Sequence, residues 1–155
     1  MNNKCSNFQT ELKDGKSVIV FTTGTSMEPL LYDKGKKKAT HVLVKPITEE
    51  LSIGDMPMVL LRDGRYMIHR IIQIIKEQGD LYYITRGDNC VGSEKIKRDM
   101  VVGVVTIVYR KGKEIHITDK GYLRYVKIWG ILYPIRKMWL IAKGILRSIK
   151  NKMGR

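Results

Sequence analysis

Apolar and polar positions alternate along most of the chain, and the pattern changes character near residue 119. Between residues 17 and 118, short β-branched runs are separated by turns rich in Gly, Asp and Lys, the period-two signature of antiparallel strands. Strands are predicted at 17–23, 41–45 (ended by Pro46), 56–61, 66–76, 81–85, 101–110 and 114–118. Pro57 lacks an N–H for a ladder, so it belongs at an edge or at the first strand position. Asp63-Gly64 centres one hairpin turn. Gln78-Gly79-Asp80, Arg86-Gly87-Asp88-Asn89 and Lys111-Gly112-Lys113 mark others, and Lys34-Gly35-Lys36-Lys37-Lys38 reads as a basic turn. Residues 1–16 are polar, with Leu12 on a short helix or strand leading into the core.

From residue 122 the period lengthens to that of helices. Two pieces are predicted, 122–133 and 135–152, split by Pro134. In the second, Arg136, Lys143, Arg147 and Lys150 share one face and Met138, Ile141, Ile145 and Ile149 another. Trp129, Tyr133 and Trp139 add rings suited to a lipid–water boundary. The expected fold class is therefore mainly β. A polar segment (1–16) precedes an antiparallel β domain (17–118), and a basic amphipathic helical tail (119–155) follows.

Charge sharpens this picture. The net charge is +14, and from residue 122 to the end there are nine Lys/Arg and no Asp/Glu. Such a segment favours an anionic partner surface. Its amphipathic stripe points to a membrane surface contacted through residues 122–152, and no specific nucleic acid is expected. Residues 1–9 have no apolar core of a signal peptide, and no uncharged apolar run reaches 18 residues. The expectation is a cytoplasmic or peripheral membrane protein without an N-terminal anchor. Two cysteines, Cys5 and Cys90, are too few for a disulfide framework or a zinc site, and no metal or cofactor is expected.

Candidate chemistry starts at Ser26, in Thr23-Gly24-Thr25-Ser26-Met27-Glu28-Pro29. It sits where a strand ends, between flexible Gly24 and stiff Pro29. A serine presented on such a turn beside exposed N–H groups has the setting of a nucleophile, and the same residues also make an ordinary turn. A serine hydroxyl needs a base. His69, with a reference pKa near 6.5, serves at neutral pH if a partner orients its second nitrogen. Asp88, Glu94 and, further away, Asp99 qualify by charge. Cys90 reads as a small filler residue.

Gly24–Pro29, Tyr66-Met67-Ile68-His69-Arg70-Ile71-Ile72 and Thr85-Arg86-Gly87-Asp88-Asn89, with Gly54-Asp55 and Val102-Gly103-Val104-Val105, resemble the type I signal peptidase family in order and rough spacing over about residues 18–109. The resemblance implies that family's β fold, with Ser26 as nucleophile and its N–H in the oxyanion hole. Gly24 and Met27 are implied to flank the substrate. Many bacterial members place lysine where this chain has His69. The His69-Arg70 pair is similar to the branch found in archaea and in the endoplasmic-reticulum complex. In that branch an acid about six residues beyond the Asp of Gly-Asp-Asn orients the histidine. Here that position holds Glu94, a longer side chain than the usual Asp, and Asp88 stands as a structural or orienting alternative.

The function expected is a serine endopeptidase that cuts leader or signal-type peptides through a Ser–His–acid triad and an acyl-enzyme. Alternatives are a self-cleaving regulator like the SOS-repressor group and an inactive peptidase-like module that binds membrane or a partner through its tail.

Overall fold

The computed structural model describes residues 5–35 and 39–153. The basic turn at Lys36–Lys38 and the side chains of Cys5, Arg147 and Lys150 lie outside the described residues.

Two antiparallel sheets carry the chain, with helices at both ends. β1 (Val18–Phe21) pairs β2 (Thr40–Lys45), β2 pairs β8 (Val101–Arg110), β8 pairs β3 (Pro57–Leu60), and β3 pairs β4 (Tyr66–Ile68). β9 (Lys113–His116) adds to β8. The second sheet is β5 (Arg70–Glu77), β6 (Asp80–Arg86) and β7 (Glu94–Lys97). A single turn of 3-10 helix, Arg98–Met100, leads into β8.

The alternation read from sequence is the alternation of burial. Val42 and Val44 of β2 are fully buried while His41 and Leu43 are only half-buried. They pack with Val18, Met56, Met58, Val105 and Val108 into the main core. Each such side chain contributes about 1.5–3 kcal/mol on leaving water. Leu12, on helix α1 (Cys5–Lys13), closes one end of it. A smaller core of Leu51, Ile71 and Tyr83 lies under the second sheet. Pro57 occupies the first position of β3, where its missing N–H costs no ladder bond.

Three expectations need correction. The run 66–76 is not one strand: it breaks at His69, with β4 in the first sheet and β5 in the second. β7 was not foreseen, because Glu-Lys-Ile-Lys offers one apolar residue. The tail breaks at Leu132 rather than at Pro134, giving α2 (Lys120–Ile131) and α3 (Tyr133–Met153). Pro134 falls in the first turn of α3, where a missing N–H is tolerated.

α2 lies on the β domain through Tyr122, Tyr125, Val126 and Trp129. α3 continues outward, and after Leu140 its described side chains are exposed. No described helix is long and apolar enough to cross a membrane.

Candidate active site

Ser26 stands on the turn after β1, held from both sides. Before it, Thr22 Oγ1 donates to Tyr32 O (2.8 Å) and meets Thr40 Oγ1 (2.8 Å), tying the loop to β2. After it, Leu30 and Leu31 N–H donate to Met27 O (3.1 and 3.0 Å), and Met27, Leu30 and Leu31 are buried. Ser26 is therefore left half-exposed on a fixed backbone. Neither its Oγ nor its N–H has a hydrogen-bond partner among the described residues. The Gly24 N–H is taken by Asp33 Oδ2 at 2.6 Å, so it is not available as an oxyanion donor.

His69 sits at the step between the two sheets, its side chain 9% exposed. Its Nδ1 lies 3.1 Å from Glu94 Oε2, and Thr85 Oγ1 donates to that same oxygen at 3.5 Å. A hydrogen bond from Nδ1–H to the carboxylate leaves Nε2 as the acceptor. Thr85 and Glu94 are directly paired across β6 and β7, so the unforeseen strand is what carries the acid to the imidazole.

Nε2 faces Gly87. A Cβ on that residue would stand 3.1 Å from Nε2, 2.6 Å from Ser26 O and 2.8 Å from Cys90 Sγ. The ring, the Ser26 backbone and the thiol thus converge on one point that only glycine leaves open. The loop is pinned there by Asn89 N–H to Ser26 O (2.7 Å) and Asn89 Nδ2 to Thr25 O (3.1 Å).

Asp88 points elsewhere. Its carboxylate receives Arg70 Nε (2.8 Å) and Nη2 (2.7 Å) in a buried, two-pronged pair, and Tyr125 OH donates to it at 3.0 Å. Arg70 Nη1 also donates to Gly54 O (2.9 Å) and Tyr122 OH (2.7 Å). Asp88 N–H donates to Met27 Sδ (3.4 Å), and Trp129 Nε1–H donates to Asp88 O (3.2 Å). This network welds the Ser26 turn, the 87–90 loop and α2 together. Burial by itself would lower the Arg70 pKa, but the hydrogen bonds and charge of Asp88 outweigh it and hold the guanidinium above its ordinary value. Burial pushes the Tyr125 phenol up, and the adjacent Asp88 charge adds to the rise. Burial likewise raises the Cys90 thiol, with Glu94 contributing.

A cavity of about 150 Å³ opens beside Ser26 between β1 and β4, lined among others by Val20, Gly24, Met27, Met58 and Ile68. β1 and β4 are the two ends of the first sheet's strand order, so the cavity separates two unpaired edges.

The structure thus brings together Ser26, His69 and Glu94, with Gly24 and Met27 at the cavity wall. The Asp88 carboxylate is bonded to Arg70 and Tyr125 rather than to His69, and Asp99 is exposed in the 3-10 turn after β7. Trp129 and Tyr133 do not face outward as expected: Tyr133 OH donates to Val91 O at 2.8 Å and Trp129 backs Asp88. Sequence reasoning placed Gly87 in a turn and a motif without its steric role, and it missed the Tyr122–Tyr125–Trp129 face, whose spacing of three and four was the available signal. Among the described residues there is no group of three His, Cys, Asp or Glu side chains able to hold a metal ion. Comparison with protein-family models, with curated proteins and with solved structures finds no match to this chain.

Proposed function

We propose that the chain is a serine endopeptidase of the signal-peptidase type, with Ser26 as nucleophile, His69 as general base and Glu94 as the residue that orients it. The observation that carries this reading is the His69 ring: Nδ1 is engaged by Glu94 at 3.1 Å while Nε2 faces the gap that Gly87 leaves beside Ser26. In the reaction Nε2 takes the Oγ proton as Oγ attacks the scissile carbonyl. The Ser26 N–H donates to the oxyanion. The imidazolium then protonates the leaving amine, and water, activated by the same ring, hydrolyses the ester.

The substrate proposed is an extended leader or signal-type peptide. Two unpaired strand edges flank the cavity, and an extended peptide can add its main chain to such edges. A pocket of about 150 Å³ beside the nucleophile suits a small side chain next to the cut.

A second reading, a peptidase-like module that binds without cutting, is favoured by one observation: Ser26 Oγ has no hydrogen bond to His69 Nε2. Incubating the full chain with a fluorogenic leader peptide that ends in a small residue separates the two. Cleavage that disappears in Ser26→Ala and falls about 10²–10⁴-fold in His69→Ala supports the peptidase. Cleavage that survives in both variants, or is absent from the parent protein, rejects it.

A further inference from the structure

The end of the chain presents an apolar surface that nothing described covers. On α2 and α3, Ile128, Ile131, Ile135, Met138, Trp139, Ile145 and Leu146 are 47%, 67%, 69%, 73%, 58%, 55% and 67% exposed. Steps of three and four residues carry Ile128, Ile131, Ile135, Met138, Ala142 and Ile145 along one side of the two helices. The half-buried positions Tyr133, Arg136 and Leu140 recur at the same steps on the opposite side, toward the β domain. The stripe therefore faces away from the domain from Ile128 to Met138, and it continues through Ile145 and Leu146 where every described side chain of α3 is exposed. An exposed apolar patch this long marks an interaction surface.

Charge chooses the occupant. α2 and α3 contain no acidic residue. Arg124, Lys127, Lys137 and Lys143 are exposed around the stripe, and Lys143 Nζ lies 4.7 Å from the Trp139 ring centre. A second copy would bring the same basic helices together with no carboxylate to offset them. A nucleic acid would meet the lysines but leave the stripe in water. An anionic bilayer satisfies both, with side chains inserted at the acyl boundary and cations at the head groups.

We infer that α2 and α3 form an in-plane docking element for an anionic lipid surface, seated through the Ile128–Leu146 stripe. The inner side of α2 is hydrogen-bonded to the 87–91 loop through Tyr125 and Trp129, so docking fixes the height and tilt of the Ser26 cleft above the lipid. The inference does not rest on the peptidase reading, because its test measures binding alone.

The test is flotation of the full chain with vesicles of phosphatidylcholine, alone or with 30% phosphatidylglycerol. The protein should float with the mixed vesicles at least about tenfold more than with phosphatidylcholine alone, and the emission of Trp139, read in a Trp129→Phe background, should shift to the blue. Ile135→Ser/Met138→Ser/Ile145→Ser/Leu146→Ser alters exposed positions only and should abolish flotation while leaving the far-UV circular dichroism unchanged. Lys137→Glu/Lys143→Glu provides an independent arm and should remove the preference for the anionic lipid. Equal flotation of the parent and the four-serine variant overturns the inference. So does failure to float accompanied by self-association, or by binding of an RNA probe that the four-serine variant retains.

Discussion

Glu94 reaches His69 from β7, two strands across the second sheet from β5: its Oε2 is 3.1 Å from Nδ1, and the pairing of Glu94 with Thr85 of β6 holds it there. Asp88, closer in sequence, is spent on Arg70. The two acids therefore separate by experiment. Glu94→Gln keeps the shape and removes the charge, and should lower kcat/KM on a leader peptide by about 10²–10⁴-fold with an unchanged melting temperature. Steady-state kinetics beside thermal melts check this; full activity in Glu94→Gln would remove it from the site.

Asp88 should behave as a structural acid. Arg70 and Asp88 are about 6% exposed each and make two direct hydrogen bonds. Removing one partner leaves a buried charge alone, so Arg70→Met or Asp88→Leu should each cost about 3–5 kcal/mol of unfolding free energy. The double variant should recover a large part of that. Urea titrations of the three variants provide the measurement, and additive losses would contradict it.

Gly87 is the position with least freedom. A methyl there meets a backbone oxygen at 2.6 Å and a sulfur at 2.8 Å, and the oxygen belongs to Ser26, the proposed nucleophile. Gly87→Ala should destabilise by about 1–3 kcal/mol and displace Ser26 from His69. Gly92→Ala, in the same loop with nothing within 4 Å of its added carbon, is the control and should be close to neutral. Comparable melting points for the two would show that the loop gives way easily.

Alkaline pH should loosen the α2 contact. The Tyr125 phenol is pushed above its ordinary value by burial and by Asp88. Below about pH 10 both folded and unfolded chains hold that proton, and its stabilising contribution is intact. As pH rises further the unfolded chain releases it first, so stability falls. Urea midpoints measured from pH 8 to 11 should decline, and the decline should be shallower in Tyr125→Phe. Parallel slopes would exclude Tyr125 as the source.

Much of the β domain was legible because Gly and Asp punctuate it. The turn at Gln78-Gly79 takes φ of 51° and 87°, and that at Lys111-Gly112 takes 51° and 72°, as a two-residue hairpin requires. The acid six residues past Asp88 was also legible, through motif order. The switch of sheets at His69 was not: a β-branched run keeps its period of two whichever sheet it joins, and only the pairing partners reveal the step. The inward turn of Trp129 and Tyr133 was hidden for a similar reason. Aromatic residues at helical spacing fit a lipid boundary or a protein interior equally well, and the deciding partners, Asp88 O and Val91 O, lie about 40 residues away in sequence.

The open edges of β1 and β4 have one more consequence. A peptide strand entering between them would complete the first sheet into a continuous ring, so that ligand and protein would share one cooperative structure. Occupancy would then register as slowed hydrogen exchange at Phe21 and Ile68, whose N–H groups point out of the sheet on these margins. Cutting that strand halves the piece that bridges the gap. The chemistry would thereby weaken the grip on its own products, and turnover would need no separate opening step.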